Sequence, residues 1–208
     1  MKFVAISDTH GMHNRLILPK GDAIIHAGDI SRMGHEEEVI EFLNWFKELD
    51  FRHKIFIPGN HDFFFESSSP QKVYDIIPEN VIYLNDSAVT IDGIKIWGSP
   101  ISPWFHDWAF NRKRGFEINM HWNRIPPDTD ILITHGPAYG RLDKTIYGDY
   151  VGCEDLLNKI HDIKPKYHIC GHIHEAYGKW NDGNTTFINA SVLDHKYRMK
   201  NEAILFEL

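Results

Sequence analysis

Five short apolar runs of this chain each stop at a small or turn residue beside an Asp, Asn or His, and no other feature restricts the fold as much. The run 3–7 leads into Asp8-Thr9-His10-Gly11, and the run 23–27 into Gly28-Asp29. The run 55–58 leads into Gly59-Asn60-His61-Asp62, the run 131–134 into His135-Gly136, and the run 167–170 into Gly171-His172-Ile173-His174. Runs of this length, rich in β-branched residues and polar only at one end, read as buried strands. In open α/β sheets the C-terminal ends of parallel strands lie side by side and build the ligand site. Five tips of one chemistry therefore imply a common rim.

The remaining elements fit a mixed architecture. Further strand candidates lie at 81–84, 89–97, 185–189 and 203–207. The clearest helix is expected over 35–49, where Val39, Phe42, Leu43, Phe46 and Leu49 make an apolar stripe and Glu36, Glu37 and Glu38 occupy the first turn. Shorter helices are expected near 71–76, 113–122 and 154–163. Asp92-Gly93 between alternating segments signals a β-hairpin, and 181–184 marks a second. The expected fold class is α/β, a two-layer mixed β-sandwich flanked by helices. With 208 residues and no linker or repeat, a single domain over 1–208 is expected.

Composition narrows the function classes. The net charge is −7, which disfavours a long nucleic-acid footprint. The basic cluster Arg112-Lys113-Arg114 reads as a solvated helix start. No run approaches the roughly 20 apolar residues of a membrane span, and the N-terminus does not read as a signal peptide. With only Cys153 and Cys170, a disulfide framework is excluded and a cytoplasmic setting is expected. Dinucleotide, phosphate-loop and Gly-x-Ser-x-Gly motifs are absent.

The unusual count is 14 histidines. Those at the tips, with Asp8, Asp29 and Asn60, offer imidazole nitrogen and carboxylate or amide oxygen without thiolate. That donor set suits Mn, Fe, Zn, Co or Ni. Asp8 and His10, like His172 and His174, are i, i+2 pairs, which extended backbone turns to one face. Seven donors (Asp8, His10, Asp29, Asn60, His135, His172, His174) exceed the needs of one ion. Two ions about 3.5–4 Å apart, bridged by a carboxylate, would use them all, and Asp29 is the natural bridge. The other histidines, including His13, His26 and His168, are read as surface or satisfied core residues.

Taken in order, these motifs resemble the calcineurin-like metallophosphoesterase family. The segments 6–11, 97–100, 103–105, 108–111 and 132–137 are similar to its small metallophosphoesterase-domain branch, which resembles class III cyclic-nucleotide phosphodiesterases. The resemblance implies two divalent metal ions, manganese first among them. Asp8, His10 and His174 would hold one ion and Asn60, His135 and His172 the other, with Asp29 shared. It leaves His61 uncoordinated as general acid, with Asp62, where many members carry Glu, as its orienting partner.

The implied reaction is hydrolysis of a phosphodiester in a small nucleotide, cyclic ones included, by in-line attack of a metal-bridging hydroxide. Only two of the seven donors are charged, so two dications leave the pocket locally positive and open to an anion. Broad phosphomonoesterase or nuclease activity on the same site, and a metal-binding scaffold without turnover, are the alternatives. Trp104, Phe105, Trp108 and Phe110 around His106 are expected either to offer a face to a nucleobase or to cover the sandwich. Arg32 is a further candidate for touching phosphate.

Overall fold

The computed structural model describes all 208 residues and is built from two large packed sheets and a two-stranded one. The chain runs β1 (Lys2–Ile6), β2 (Ala23–Ala27), α1 (Glu36–Lys47), β3 (His53–Ile57), α2 (Phe63–Ser67), α3 (Pro70–Ile76) and β4 (Ile82–Tyr83). It continues through β5 (Ser87–Ile91), β6 (Ile94–Ser99), β7 (Ser102–Pro103), β8 (Asn111–Arg112), α4 (Phe116–Trp122) and β9 (Ile131–Thr134). It closes with α5 (Glu154–Ile163), β10 (Tyr167–Cys170), β11 (Gly178–Asn181), β12 (Thr186–Asn189) and β13 (Ile204–Glu207). The first sheet has the order β13-β1-β2-β3-β4 and the second β11-β12-β10-β9-β6-β5. β1, β2, β3 and β4 pair in parallel, as do β6, β9, β10 and β12, so both sheets send their strand ends the same way.

Strand periodicity explains why these runs are apolar throughout. Phe3, Ala5, Ile25, Ile55 and Ile57 of the first sheet pack with Ile96, Ile131, Ile133, Ile169 and Ile188 of the second. The alternate residues face outward onto helices: Val4, Ile24 and Phe56 share a cluster with Val39, Phe42 and Phe46 of α1. On the other side Leu132 and Phe187 belong with Ile118 and Trp122 of α4 and Leu156 and Ile160 of α5. Strands apolar on both faces lose the polar alternation of a half-exposed sheet.

Both expected hairpins form, β5–β6 around Asp92-Gly93 and β11–β12 with Asn181 opposite Thr186. The first helix is shorter than its stripe, because Leu49 bonds back only three residues, to Phe46. At its start the Glu38 carboxylate accepts the N–H groups of Met33 and His35, satisfying donors that a helix terminus leaves free. The helix expected from residue 113 begins at Phe116, since Gly115 sits at φ 80°, outside helical space. α2 was not expected from the sequence: five residues are too few to show a period. No helix is long and apolar enough to cross a membrane.

Candidate metal centre

The tips of both sheets meet at one seam. Asp8 follows β1, Asp29 follows β2, Asn60 and His61 follow β3, His135 follows β9, and His172 and His174 follow β10. Side chains of the two sheets interlock there. His135 donates from Nδ1 to the Ala27 carbonyl of the first sheet at 3.0 Å, and Ser191 donates to Asp8 Oδ2 at 2.7 Å. Sharp turns bring the donors inward. Asp8, His10, Asp29 and His172 all adopt positive φ, at 56°, 41°, 57° and 68°. Non-glycine residues rarely sit there, at a cost of about 1–3 kcal/mol each, and such strain gathers at functional sites. Backbone also approaches closely: a Cβ at Gly59 would strike Asp29 and the His135 ring, and one at Gly171 would strike the Asp8 carboxylate.

Three histidines share one geometry. The Nδ1 atoms of His10, His135 and His174 face the carbonyls of Ser31 (3.1 Å), Ala27 (3.0 Å) and Asp194 (3.1 Å). A carbonyl only accepts, so each Nδ1 carries a proton and the neutral ring turns an Nε2 lone pair into the seam. Those lone pairs meet other acceptors. His10 Nε2 lies 3.6 Å from Asp29 Oδ2, and His135 Nε2 lies 3.4 Å from the same oxygen and 2.9 Å from Asn60 Oδ1. His174 Nε2 lies 3.4 Å from Asp8 Oδ1. Asp29 Oδ2 thus stands between a histidine of either group.

Electrostatics report the same crowding. Burial opposes protonation of His135 and His174, but Asp29 and Asp8 respectively outweigh it and push each ring up to about 9. Burial likewise opposes ionisation of Asp8 and Asp29, yet His174 and His135 hold both carboxyls well below the usual carboxylate range. His172, half-buried and beside His135, falls to about 4. Buried acceptors facing one another need something positive between them, a proton or a cation. His10 Nε2 has no hydrogen-bond partner at all. The nitrogen and oxygen donors fit divalent cations. They gather as Asp8–His10–His174, His10–Asp29–His61 and Asp29–His135–His172, with the atoms of each group within 4.8 Å of one another.

The family model for calcineurin-like phosphoesterase matches residues 1–176. The chain belongs to this family. It is 41% identical over 232 residues to human metallophosphoesterase domain-containing protein 1, covering 100% of this chain and 71% of that protein. It is 38% identical over 220 residues to the Caenorhabditis elegans UPF0046 protein K07C11.7, covering 99% and 74%. Phosphopantetheinyl hydrolase of Mycobacterium tuberculosis is a structural neighbour with TM-score 0.63 and 16% identity, covering 94% of this chain and 90% of that one. It shares the fold.

One expected pairing does not form. The Asp62 carboxylate does not hold His61. It is buried and accepts from the N–H groups of Gly59 (2.7 Å), Ser31 (2.9 Å) and Ile30 (3.2 Å), and from Ser31 Oγ at 2.5 Å. Burial and then Asp29 raise it to about 6. Asp62 therefore ties the second tip to the third, while His61 Nδ1 donates instead to the Arg32 carbonyl at 2.6 Å. Arg32 contributes that backbone atom. Its guanidinium turns back to the His10 carbonyl at 3.3 Å, off the cavity wall.

Beside the donors opens a cavity of about 520 Å³. Trp104, Phe105 and Trp108 line it, with the Trp108 ring 4.3 Å from that of His61. Phe110 instead joins the core, so the aromatic segment divides between the two expected roles. Tyr197 and Arg114 also line the cavity, and neither was expected there. Tyr197 stacks edgewise near His10 and His174, at 5.0 and 5.1 Å. It lies beyond the last motif, in a turn clasped by the Asp194–Arg198 ion pair. Nothing in its local sequence marks it.

Proposed function

We propose that this chain is a metal-dependent phosphoesterase that cleaves phosphodiesters of small molecules, nucleotides included. The observation that carries the reading is the three Nδ1-anchored histidines whose Nε2 atoms converge on Asp8, Asp29 and Asn60. Asp8, His10 and His174 would hold one divalent cation, Asn60, His135 and His172 a second, and Asp29 both. Such cations, when bound, neutralise phosphoryl oxygens and lower the pKa of coordinated water. The carbonyls of Ser31, Ala27 and Asp194 fix each ring's orientation and tautomer, so the donors need no rearrangement to bind.

His61 supplies the proton chemistry. Its Nδ1–H is fixed on Arg32 O, and Trp108 packs over its ring, which lines the cavity. In the imidazolium form it holds a proton on Nε2 for the departing alkoxide. Alkoxides are poor leaving groups, so this proton matters most for unactivated esters. Trp104, Trp108, Tyr150 and Val151 all line a cavity with room for ester arms on a phosphoryl group, which favours a diester.

Rates with bis-p-nitrophenyl phosphate and p-nitrophenyl phosphate, measured with Mn²⁺ added, test this. The diester is expected to turn over faster. Faster monoester turnover would transfer the site to phosphomonoester chemistry, and hydrolysis of neither with any divalent metal would leave a binding scaffold.

A further inference from the structure

The cavity contains a cation that hydrolysis at the metal centre does not use. Arg114 is on its wall, just ahead of α4. Four of the eight arginines, Arg52, Arg112, Arg124 and Arg198, are paired with a carboxylate; Arg15, Arg32, Arg114 and Arg141 are not, and of these Arg114 alone lines the cavity. Two backbone carbonyls hold it instead, Gly152 O at 2.8 Å and Val151 O at 3.0 Å. Asp155, the nearby acid, is occupied by Gly115 N–H and Asn119 Nδ2, at 3.0 and 2.7 Å. A guanidinium has five N–H donors, so three of this exposed side chain have no protein acceptor and meet solvent or a ligand.

Charge and anchoring together point to an anion. Carbonyls orient the planar fork without neutralising it, whereas a carboxylate partner would have cancelled its charge. Backbone of the 151–152 turn keeps Arg114 on the wall beside Tyr150, in a cavity large enough for a ligand well beyond a bare phosphate. Arginine held in this way matches carboxylate or phosphate through paired hydrogen bonds, which a lysine would not reproduce.

We propose that Arg114 receives a second anionic group of the substrate, so that the site selects phosphate esters carrying a carboxylate or another phosphate on the arm remote from the cleaved bond. This rests on the phosphoesterase reading, with the first phosphoryl group at the seven donors. Arg114 is then a specificity residue, acting on binding rather than on bond cleavage.

Binding of non-hydrolysable probes separates the two readings. Calorimetry on the Mn²⁺-loaded protein would compare phenylphosphonate, 4-carboxyphenylphosphonate and the neutral isostere 4-carbamoylphenylphosphonate. The carboxylate is expected to tighten binding by about tenfold over the carboxamide, as a charge-assisted pair should. In Arg114→Gln that ratio should fall to about one, and Arg114→Lys should restore only part of it. A ratio near one in the wild type, or one unchanged by Arg114→Gln, overturns the assignment while leaving the metal site standing. If none of the three phosphonates binds, the phosphoester reading itself fails and takes this inference with it.

Discussion

Buried histidines of two kinds lie in the same two sheets, one kind within the strands and the other at their tips. His26 in β2 and His168 in β10 point into the outer helical layers, and each has its Nε2 on a threonine hydroxyl, Thr9 at 3.0 Å and Thr134 at 2.7 Å. Burial pushes both down to about 3, so both are neutral at physiological pH. At the tips, His135 and His174 are just as enclosed yet are pushed up to about 9, because their Nε2 atoms face carboxylates. The lesson is that burial does not make a ligand. The partner opposite Nε2 separates the two kinds: a hydroxyl satisfies a neutral imidazole, whereas a carboxylate at 3.4 Å leaves a negative charge that a proton or a cation must meet.

The contrast breaks first at Asp29. Its Oδ2 is the one oxygen shared by His10 and His135, so Asp29→Asn removes the charge that draws cations to both groups. Metal content of the purified variant should drop from two equivalents, with turnover falling to background. Atomic absorption together with Mn²⁺ titration checks it. Two metals retained at wild-type affinity would mean that Asp29 does not bridge, and the tip histidines would need another explanation.

A smaller effect is expected at His61, which lies in the same cavity but whose Nδ1 is spent on Arg32 O. His61→Ala should keep both metals and lose about 10²–10⁴-fold in turnover, the usual range for a general acid. The loss should shrink for an ester with a good leaving group such as p-nitrophenolate, which needs no proton. An equal loss for good and poor leaving groups would make His61 a substrate-positioning residue instead.

How much of this was legible in the sequence follows from the range of each interaction. The strands of the two large sheets and the order of tip residues were readable because periodicity and turn chemistry are local, whereas the two-residue strands β7 and β8 within the aromatic segment are too short to show a period. The wrong partner for His61 was not avoidable: Asp62 adjoins it in sequence, but its oxygens point to Ser31 and Gly59. Backbone carbonyls that orient the rings leave no trace in residue type. Ser191 reaches Asp8 across 183 positions, and Asp194 reaches His174 through a main-chain atom. Arg114 read as a solvated helix start because its charge is local information and its place on the cavity wall is not.

The smallest effect lies in the interior set and is a matter of stability. His168 donates from Nε2 to Thr134 Oγ1, which itself donates to the Gly136 carbonyl at 2.7 Å. The other nitrogen, Nδ1, is buried without a partner. A proton placed there would be buried and unpaired, so the folded chain refuses it until about pH 3, while the unfolded chain accepts it near 6.5. Between those values the unfolded state binds one more proton, and stability falls as pH falls, by about 1.4 kcal/mol per pH unit. His168→Leu should remove that dependence. Denaturant unfolding of the metal-free protein between pH 6.5 and 4 should then show a slope shallower by about this amount, at some cost in absolute stability from the lost hydrogen bond. A slope unchanged by the substitution would show that His168 is already protonated in the folded state, and the distinction between hydroxyl-paired and carboxylate-facing histidines would fail at its interior member.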